Sequence, residues 1–213
     1  PSHSRSLTLW ANGVHVGRWT IHARGDMDLQ YDQTWVNDAR GRPLSLSLPF
    51  NLHGQAIKGQ VVANYFDNLL PDSDAIRRRV AERFATGSVD PFDLLQAIGR
   101  DCVGALQILP DGGEPQGFDR VEGVLLSEED IERHLLETVS PRGFAGHRDP
   151  DDDFRISLAG AQEKTAFLRW DGAWHAPRGA TPTTHIFKLP LGLVGNKQAD
   201  MTTSVDNEWL CLR

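Results

Sequence analysis

Cysteine is scarce in this sequence: two in 213 residues, Cys102 and Cys211. No C-x-x-C pair occurs and the histidines are scattered, so neither a metal ligand set nor a disulfide is indicated. Both thiols sit in apolar runs and read as buried and free. No apolar run approaches the roughly 18 residues of a membrane span, and no signal peptide opens the chain. No membrane contact is therefore expected, and the cytoplasm is the expected location. Positive charge is also in short supply. Twenty-two Lys and Arg stand against 29 Asp and Glu, for a net charge of -7. That balance argues against a broad basic face for nucleic acid, although a partner can supply DNA contacts. Internal repeats and low-complexity tracts are missing as well.

What is present is the composition of a globular protein, with 39% apolar and 24% charged residues. That suffices for one large domain or two small ones. Residues 7–50 read as β. Asn12-Gly13 sits between two strand-like runs, a short-range hairpin signal. "MDLQY" alternates at Met27, Leu29 and Tyr31, and "PLSLSLPF" at Leu44, Leu46 and Leu48. Trp10, Trp19 and Trp35 are assigned to the core of this sheet. Residues 60–99 read as helices, one stopped by Pro71, one capped at Ser73 or Asp72, and one from Pro91 to Gly99. "CVGALQILP" reads as a buried strand and residues 111–123 as a loop. "SEEDIERHLLETV" reads as a helix capped by Ser127 with acids in its first turn. "FRISLAG" and "KTAFLRW" read as paired strands, followed by "AWHAP" and "TTHIFKLP". Residues 191–203 read as a loop before a final helix. That helix, in "SVDNEWLCLR", carries apolar Trp209, Leu210 and Leu212 that need something to pack on. With Pro1 in place of Met, the expectation is the N-terminal part of a longer protein.

Two places carry chemistry. In "FRISLAGAQEKTAFLRW" a side-chain-poor bend, Ala159-Gly160-Ala161, is followed after Gln162 by Glu163 and Lys164. Small residues let backbone N–H groups approach phosphate oxygens, and Ser157 can add a hydroxyl. A plain hairpin turn with a surface lysine fits the same residues. The stretch matches neither the Walker pattern nor G-x-G-x-x-G. In "TTHIFKLP", Thr184, Ile186 and Lys188 share one face, and His185, Phe187 and Leu189 the other. Apolar bulk on both faces reads as a strand covered on both sides. A lysine there needs an anion, either a nucleotide phosphate or a carboxylate. A glycine-containing hairpin, a strand with an inward lysine and a helix with an acid form the layout of a kinase small lobe. Glu208 is the acid that would hold Lys188; it also reads as a solvated first-turn acid. Asp67, Asp72, Arg77, Arg78 and Arg79 read as a solvated helix face or a partner surface. Arg100 and Asp101 read as paired with each other or with the hairpin loop, and His185 as a half-buried, satisfied histidine.

"DFRISLAGAQEKTAFL" resembles the HipA family of bacterial toxin kinases. So do "RPLSLSLP", "FDNLLPDS", "PFDLLQAIGRD", "TPTTHIFKLP" and "SVDNE", in family order across nearly the whole chain. The resemblance implies a serine/threonine protein kinase of a type II toxin–antitoxin system, using ATP and Mg2+. It implies a HipB-like helix-turn-helix antitoxin as partner, with operator DNA reached through it, and glutamyl-tRNA synthetase as protein substrate. By motif, Ser157 matches the autophosphorylated serine whose modification silences the kinase. Leu158, Ala159 and Gly160 match the phosphate-covering loop, and Lys188 the lysine on the ATP phosphates, with Lys164 beside the loop as an assistant. The implied fold is α+β. A small antiparallel β-barrel-like subdomain with helices occupies residues 1–110, and a kinase-like small lobe with an antiparallel sheet occupies 111–213. The D-G-H-x-K-N type segment, with its catalytic aspartate, and the metal-binding aspartate after it do not occur in these residues. No catalytic residue and no metal ligand is assigned here, and residues 1–213 alone are expected to be inactive. A non-catalytic antitoxin-docking or regulatory module is the alternative implied by the same resemblance.

Overall fold

Asn12 and Gly13 both take positive φ, 49° and 76°, the left-handed pair whose twist suits a two-residue hairpin. They join β1 (Arg5–Ala11) to β2 (Val14–Ile21), with a bulge between Leu9 and Trp10. A side chain at position 13 would also meet the ring of Phe118. The computed structural model that shows this describes residues 3–51, 53–139, 158–160, 162–195 and 198–212. β3 (Met27–Tyr31) pairs antiparallel with β2 and buries Leu29 and Tyr31, as its alternation requires.

The continuous β reading of residues 7–50 fails after Tyr31. Asp32 accepts the Thr34 N–H at 2.8 Å and caps a short helix, α1 (Gln33–Asn37), because an aspartate there satisfies an otherwise unpaired helix donor. "PLSLSLPF" is not a strand either. Ser47 N–H donates to Ser45 Oγ at 3.2 Å, and Leu48 N–H to the Ser45 carbonyl at 3.0 Å. Serine side chains here offer the backbone a local partner in place of a ladder. The Tyr31 hydroxyl donates to the Leu48 carbonyl at 2.8 Å and accepts the Leu44 N–H at 2.9 Å. Leu48 is thereby buried while Leu46 is 100% exposed.

β4 (Ile57–Lys58) leads into α2 (Gln60–Asp67), α3 (Asp74–Phe84), α4 (Pro91–Ile98) and β5 (Leu106–Pro110). The strand read at residue 102 begins only at Leu106. Gly104 and Ala105 turn the chain with positive φ, leaving Val103 exposed and a lone bridge from Cys102 to Leu106. The first sheet is antiparallel in the order β4-β3-β2-β1-β5. Helices α2 and α4 close its apolar face. Trp19 stacks on Phe66 with ring centroids 3.8 Å apart, and Phe92 meets the same indole at 5.0 Å. Trp19 and Trp35 are buried as read, whereas Trp10 is half-buried.

The second sheet has the order β6-β8-β7-β9, all antiparallel: β6 (Gly123–Leu126), β7 (Lys164–Trp170), β8 (Ala173–Pro177) and β9 (His185–Lys188). β6 lies at the end of the stretch read as loop. Between β6 and β7, α5 (Glu128–Val139) is capped by Ser127, whose hydroxyl accepts the Asp130 N–H while Asp130 accepts the Ser127 N–H. His134 of α5 meets Phe167 of β7 at 5.7 Å. β9 is an edge strand, and the two-sided cover read for it is incomplete, with Ile186 57% exposed. His185 is exposed rather than half-buried, its ring nitrogen 2.9 Å from the Thr184 hydroxyl. Residues 191–203 are no simple loop. β10 (Gly192–Val194) and β11 (Ala199–Met201) pair there before α6 (Ser204–Cys211). Cys102 is buried but Cys211 is exposed, since α6 packs few side chains against its neighbours and leaves Trp209, Leu210 and Leu212 exposed too. The α+β class holds, with antiparallel sheets throughout.

The correction at residues 43–50 has a measurable consequence. Phe66→Ala should cost about 3–5 kcal/mol in urea unfolding, as expected for a buried aromatic. Leu46→Ser, read from sequence as an equally inward residue, should change stability by less than about 0.5 kcal/mol.

Candidate functional site

Antiparallel pairing of β7 with β9 sets Lys164 directly opposite Lys188. Residues directly opposite in such a pair share a face of the sheet, and like charges so placed oppose each other unless an anion joins them. Carboxylates relieve part of this here. Lys188 Nζ donates to Glu208 Oε1 of α6 at 2.6 Å, an ion pair that leaves the lysine side chain 25% exposed. The acid reading of Glu208 is the one the geometry realises. Lys164 Nζ instead donates to the Ala159 carbonyl at 2.6 Å. Burial pushes its pKa below the ordinary lysine range, and the Lys188 charge pushes it further, while Asp72 and Glu208 pull it back.

The bend itself is small for a reason. Gly160 has φ +107°, and a side chain there would approach Lys164 Nζ at 3.0 Å, so both backbone and space favour glycine. Leu158, Ala159 and Gly160 are all half-buried beside this lysine pair. Ser157 and Ala161, and the strand read over 154–157, lie outside the described residues. Glycine φ and the lysine spacing were legible as a motif. The register that opposes the two lysines was not, because pairing partners 24 positions apart leave no local trace.

The sequence reading also missed how this loop is held. Pro71 forms a parallel bridge with Gly160, and the Asp72 N–H donates to the Gly160 carbonyl at 3.2 Å. Arg79 of α3 forms an ion pair with Glu163. Arg77 donates to Asp67 Oδ1 at 2.7 Å and to the Pro71 carbonyl at 2.6 Å. Arg77 and Arg79 are therefore structural ties and not part of a solvated face; Arg78 alone of the three is exposed. Gln162 donates to the Leu189 carbonyl at 2.6 Å, fastening the loop to the end of β9. Asp101 is held from a place that was not read for it, the segment just before β9. Its Oδ2 accepts the Thr183 N–H at 3.1 Å and the Thr183 hydroxyl at 3.0 Å, two residues before β9. Burial raises its pKa against those two bonds. Behind the loop, a cavity of about 130 Å³ separates α3 from α5 and β7, with Ile76, Val80, Phe84, His134 and Thr165 among its walls.

Among the described residues, no cluster of His, Cys, Asp and Glu could hold a metal ion, and no helix is long and apolar enough to cross a membrane. A compact bend with two ammonium groups opposite each other can bind a polyanion.

The sequence is similar to known proteins. The family model for the HipA N-terminal domain matches residues 7–109. Y4mE of Sinorhizobium fredii, whose name carries only a provisional kinase assignment, is 32% identical over 190 residues, covering 88% of this chain and 44% of the relative. The serine/threonine-protein kinase toxin HipA of Shewanella oneidensis is 27% identical over 192 residues, covering 88% and 41%. Among solved structures, Shewanella oneidensis HipA, in its complex with HipB and operator DNA, superposes with a TM-score of 0.58 at 23% identity. That match covers 84% of this chain and 39% of the other. The chain thus spans less than half the length of the relatives it matches.

Lys164 reports on its surroundings. A protonated Lys164 costs the folded state at every pH below its folded pKa, and the cost fades as pH rises from there to the ordinary lysine range. Lys188→Met should raise the Lys164 pKa and Glu208→Gln should lower it further. NMR titration of 13C-methylated lysines reads both shifts; movement in the opposite directions would rule out the charge coupling described.

Proposed function

The chain belongs to the HipA family, and on that premise we propose that it is the nucleotide-gripping portion of a serine/threonine protein kinase toxin of a type II toxin–antitoxin system. The observation that carries this is the cross-strand lysine pair, with Lys188 held by Glu208. An acid that fixes a strand lysine is the arrangement by which kinases orient the phosphates of ATP. When bound, ATP supplies the γ-phosphoryl group: a bond forms from phosphorus to the acceptor oxygen as the bond to the bridging β,γ-oxygen breaks. In this reading Lys188 contacts the phosphates, Lys164 exchanges its Ala159 carbonyl for a phosphate oxygen, and Leu158, Ala159 and Gly160 cover the triphosphate. Glu208 keeps Lys188 aimed while leaving it further N–H donors. The Mg2+ of such a reaction finds no carboxylate cluster among the described residues, and no step is assigned to it.

Ser157 is the proposed autophosphorylation site. A phosphate there adds close to two negative charges next to the loop and repels the nucleotide tail, which silences the kinase. The proposed partner is a HipB-like helix-turn-helix antitoxin. The solved HipA of similar fold sits in a complex with HipB and operator DNA, and a net charge of -7 fits a chain that leaves DNA contact to a partner. Glutamyl-tRNA synthetase is the proposed protein substrate, the cytoplasm the proposed site of action, and growth arrest with persistence the proposed outcome.

In the complete gene product, Lys188→Ala should abolish autophosphorylation, measured as incorporation of labelled phosphate; incorporation at the wild-type level overturns the assignment. Ser157→Ala should keep ATP binding and lose the phosphate seen by intact-mass measurement. A phosphate retained elsewhere at wild-type stoichiometry would move the silencing site off Ser157.

A further inference from the structure

The phosphate-covering loop is held from outside its own sheet, and by contacts of a kind that a core would not need. Two of them come from α3 and the corner before it: the Pro71–Gly160 bridge, made with the Asp72 N–H on the Gly160 carbonyl, and the Arg79–Glu163 ion pair. The corner is itself braced, since Arg77 of α3 reaches back to Asp67 Oδ1 and to the Pro71 carbonyl. Apolar packing does not take over this task, because the space between α3 and the start of β7 is a cavity. The Arg79 and Glu163 side chains are each only 24% exposed, which shields their ion pair from solvent screening. Glu163 immediately precedes Lys164, so the side chain Arg79 grips is next in sequence to the lysine facing Lys188.

We propose that Arg79, acting through Glu163 and together with the Asp72 backbone, is a positioning residue for ATP phosphates: the N-terminal α2–α3 corner sets the loop at the height at which Lys164 and Lys188 meet the triphosphate. This rests on the kinase reading above. It assigns the N-terminal sheet and its helices a part in nucleotide affinity without assigning any of their side chains a nucleotide contact. A change at α3, such as a partner seated on that helix, would be transmitted to the loop through one ion pair.

The test compares binding of MgATP and of adenosine to the complete gene product by calorimetry. Adenosine lacks phosphates, so a loop placed wrongly weakens ATP alone, whereas a general loss of structure weakens both. Arg79→Ala and Glu163→Gln should each weaken ATP about tenfold and leave adenosine within twofold. The charge exchange Arg79→Glu with Glu163→Arg should restore most of the lost ATP affinity, while Arg79→Glu alone should not. Unchanged ATP affinity in both single variants, equal weakening of both ligands, or failure of the exchange to restore ATP binding would each overturn the proposal. Lys188→Ala separates the two readings. If it abolishes ATP binding while Arg79→Ala does nothing, only the positioning role is lost. If Lys188→Ala binds ATP like the wild type, the kinase reading fails and the positioning role falls with it.

Discussion

Two ammonium groups facing each other across neighbouring strands are the constraint around which the second half of this molecule is organised. The β7–β9 register sets the two residues opposite each other, and the charge of Lys188 acts on Lys164. The chain answers with local anions and acceptors: Glu208 on Lys188, the Ala159 carbonyl on Lys164, Asp72 nearby. Each answer is partial. Lys164 stays below its ordinary pKa, the mark of a cation whose surroundings favour its neutral form. A polyphosphate laid across the pair would supply the charge that these groups do not.

The bend next to the lysines follows from the same constraint. Gly160 at φ +107° suits a residue without a side chain, and a Cβ there would crowd the tip of Lys164. Because the loop is made of small residues, it has few apolar contacts with which to fix itself. Polar ties from three directions do so instead: Asp72 and Arg79 from the first helices, Gln162 to the end of β9, and Lys164 from within.

How much of this was legible in the sequence depends on the range of the interaction involved. Short-range signals read true: Asn12-Gly13 made its hairpin, Ser127 its cap, and Pro91 and Gly99 bounded their helix. Errors arose where a local hydrogen bond competed with periodicity. Asp32 nucleated a helix and Ser45 a turn inside what alternation alone read as strands. Interactions across more than about 80 residues left no trace at all. Nothing near Arg79 announces Glu163, and Asp101 is linked to Thr183 only by the fold. The bend, Lys164 and Lys188 were singled out by residue chemistry, and family resemblance supplied the roles proposed for them. Ser157 lies outside the described residues, so its role rests on that resemblance.

Asp101 carries a consequence for how such proteins can be dissected. Its half-buried carboxylate belongs to the end of the first helical region, yet it accepts two hydrogen bonds from Thr183, near the start of the strand that bears Lys188. Together with the Pro71–Gly160 bridge, it makes the two sheets poor candidates for interchangeable modules. A chimera that grafted one relative's first sheet onto another's second would have to match both seams at once, or leave a half-buried carboxylate without its Thr183 donors.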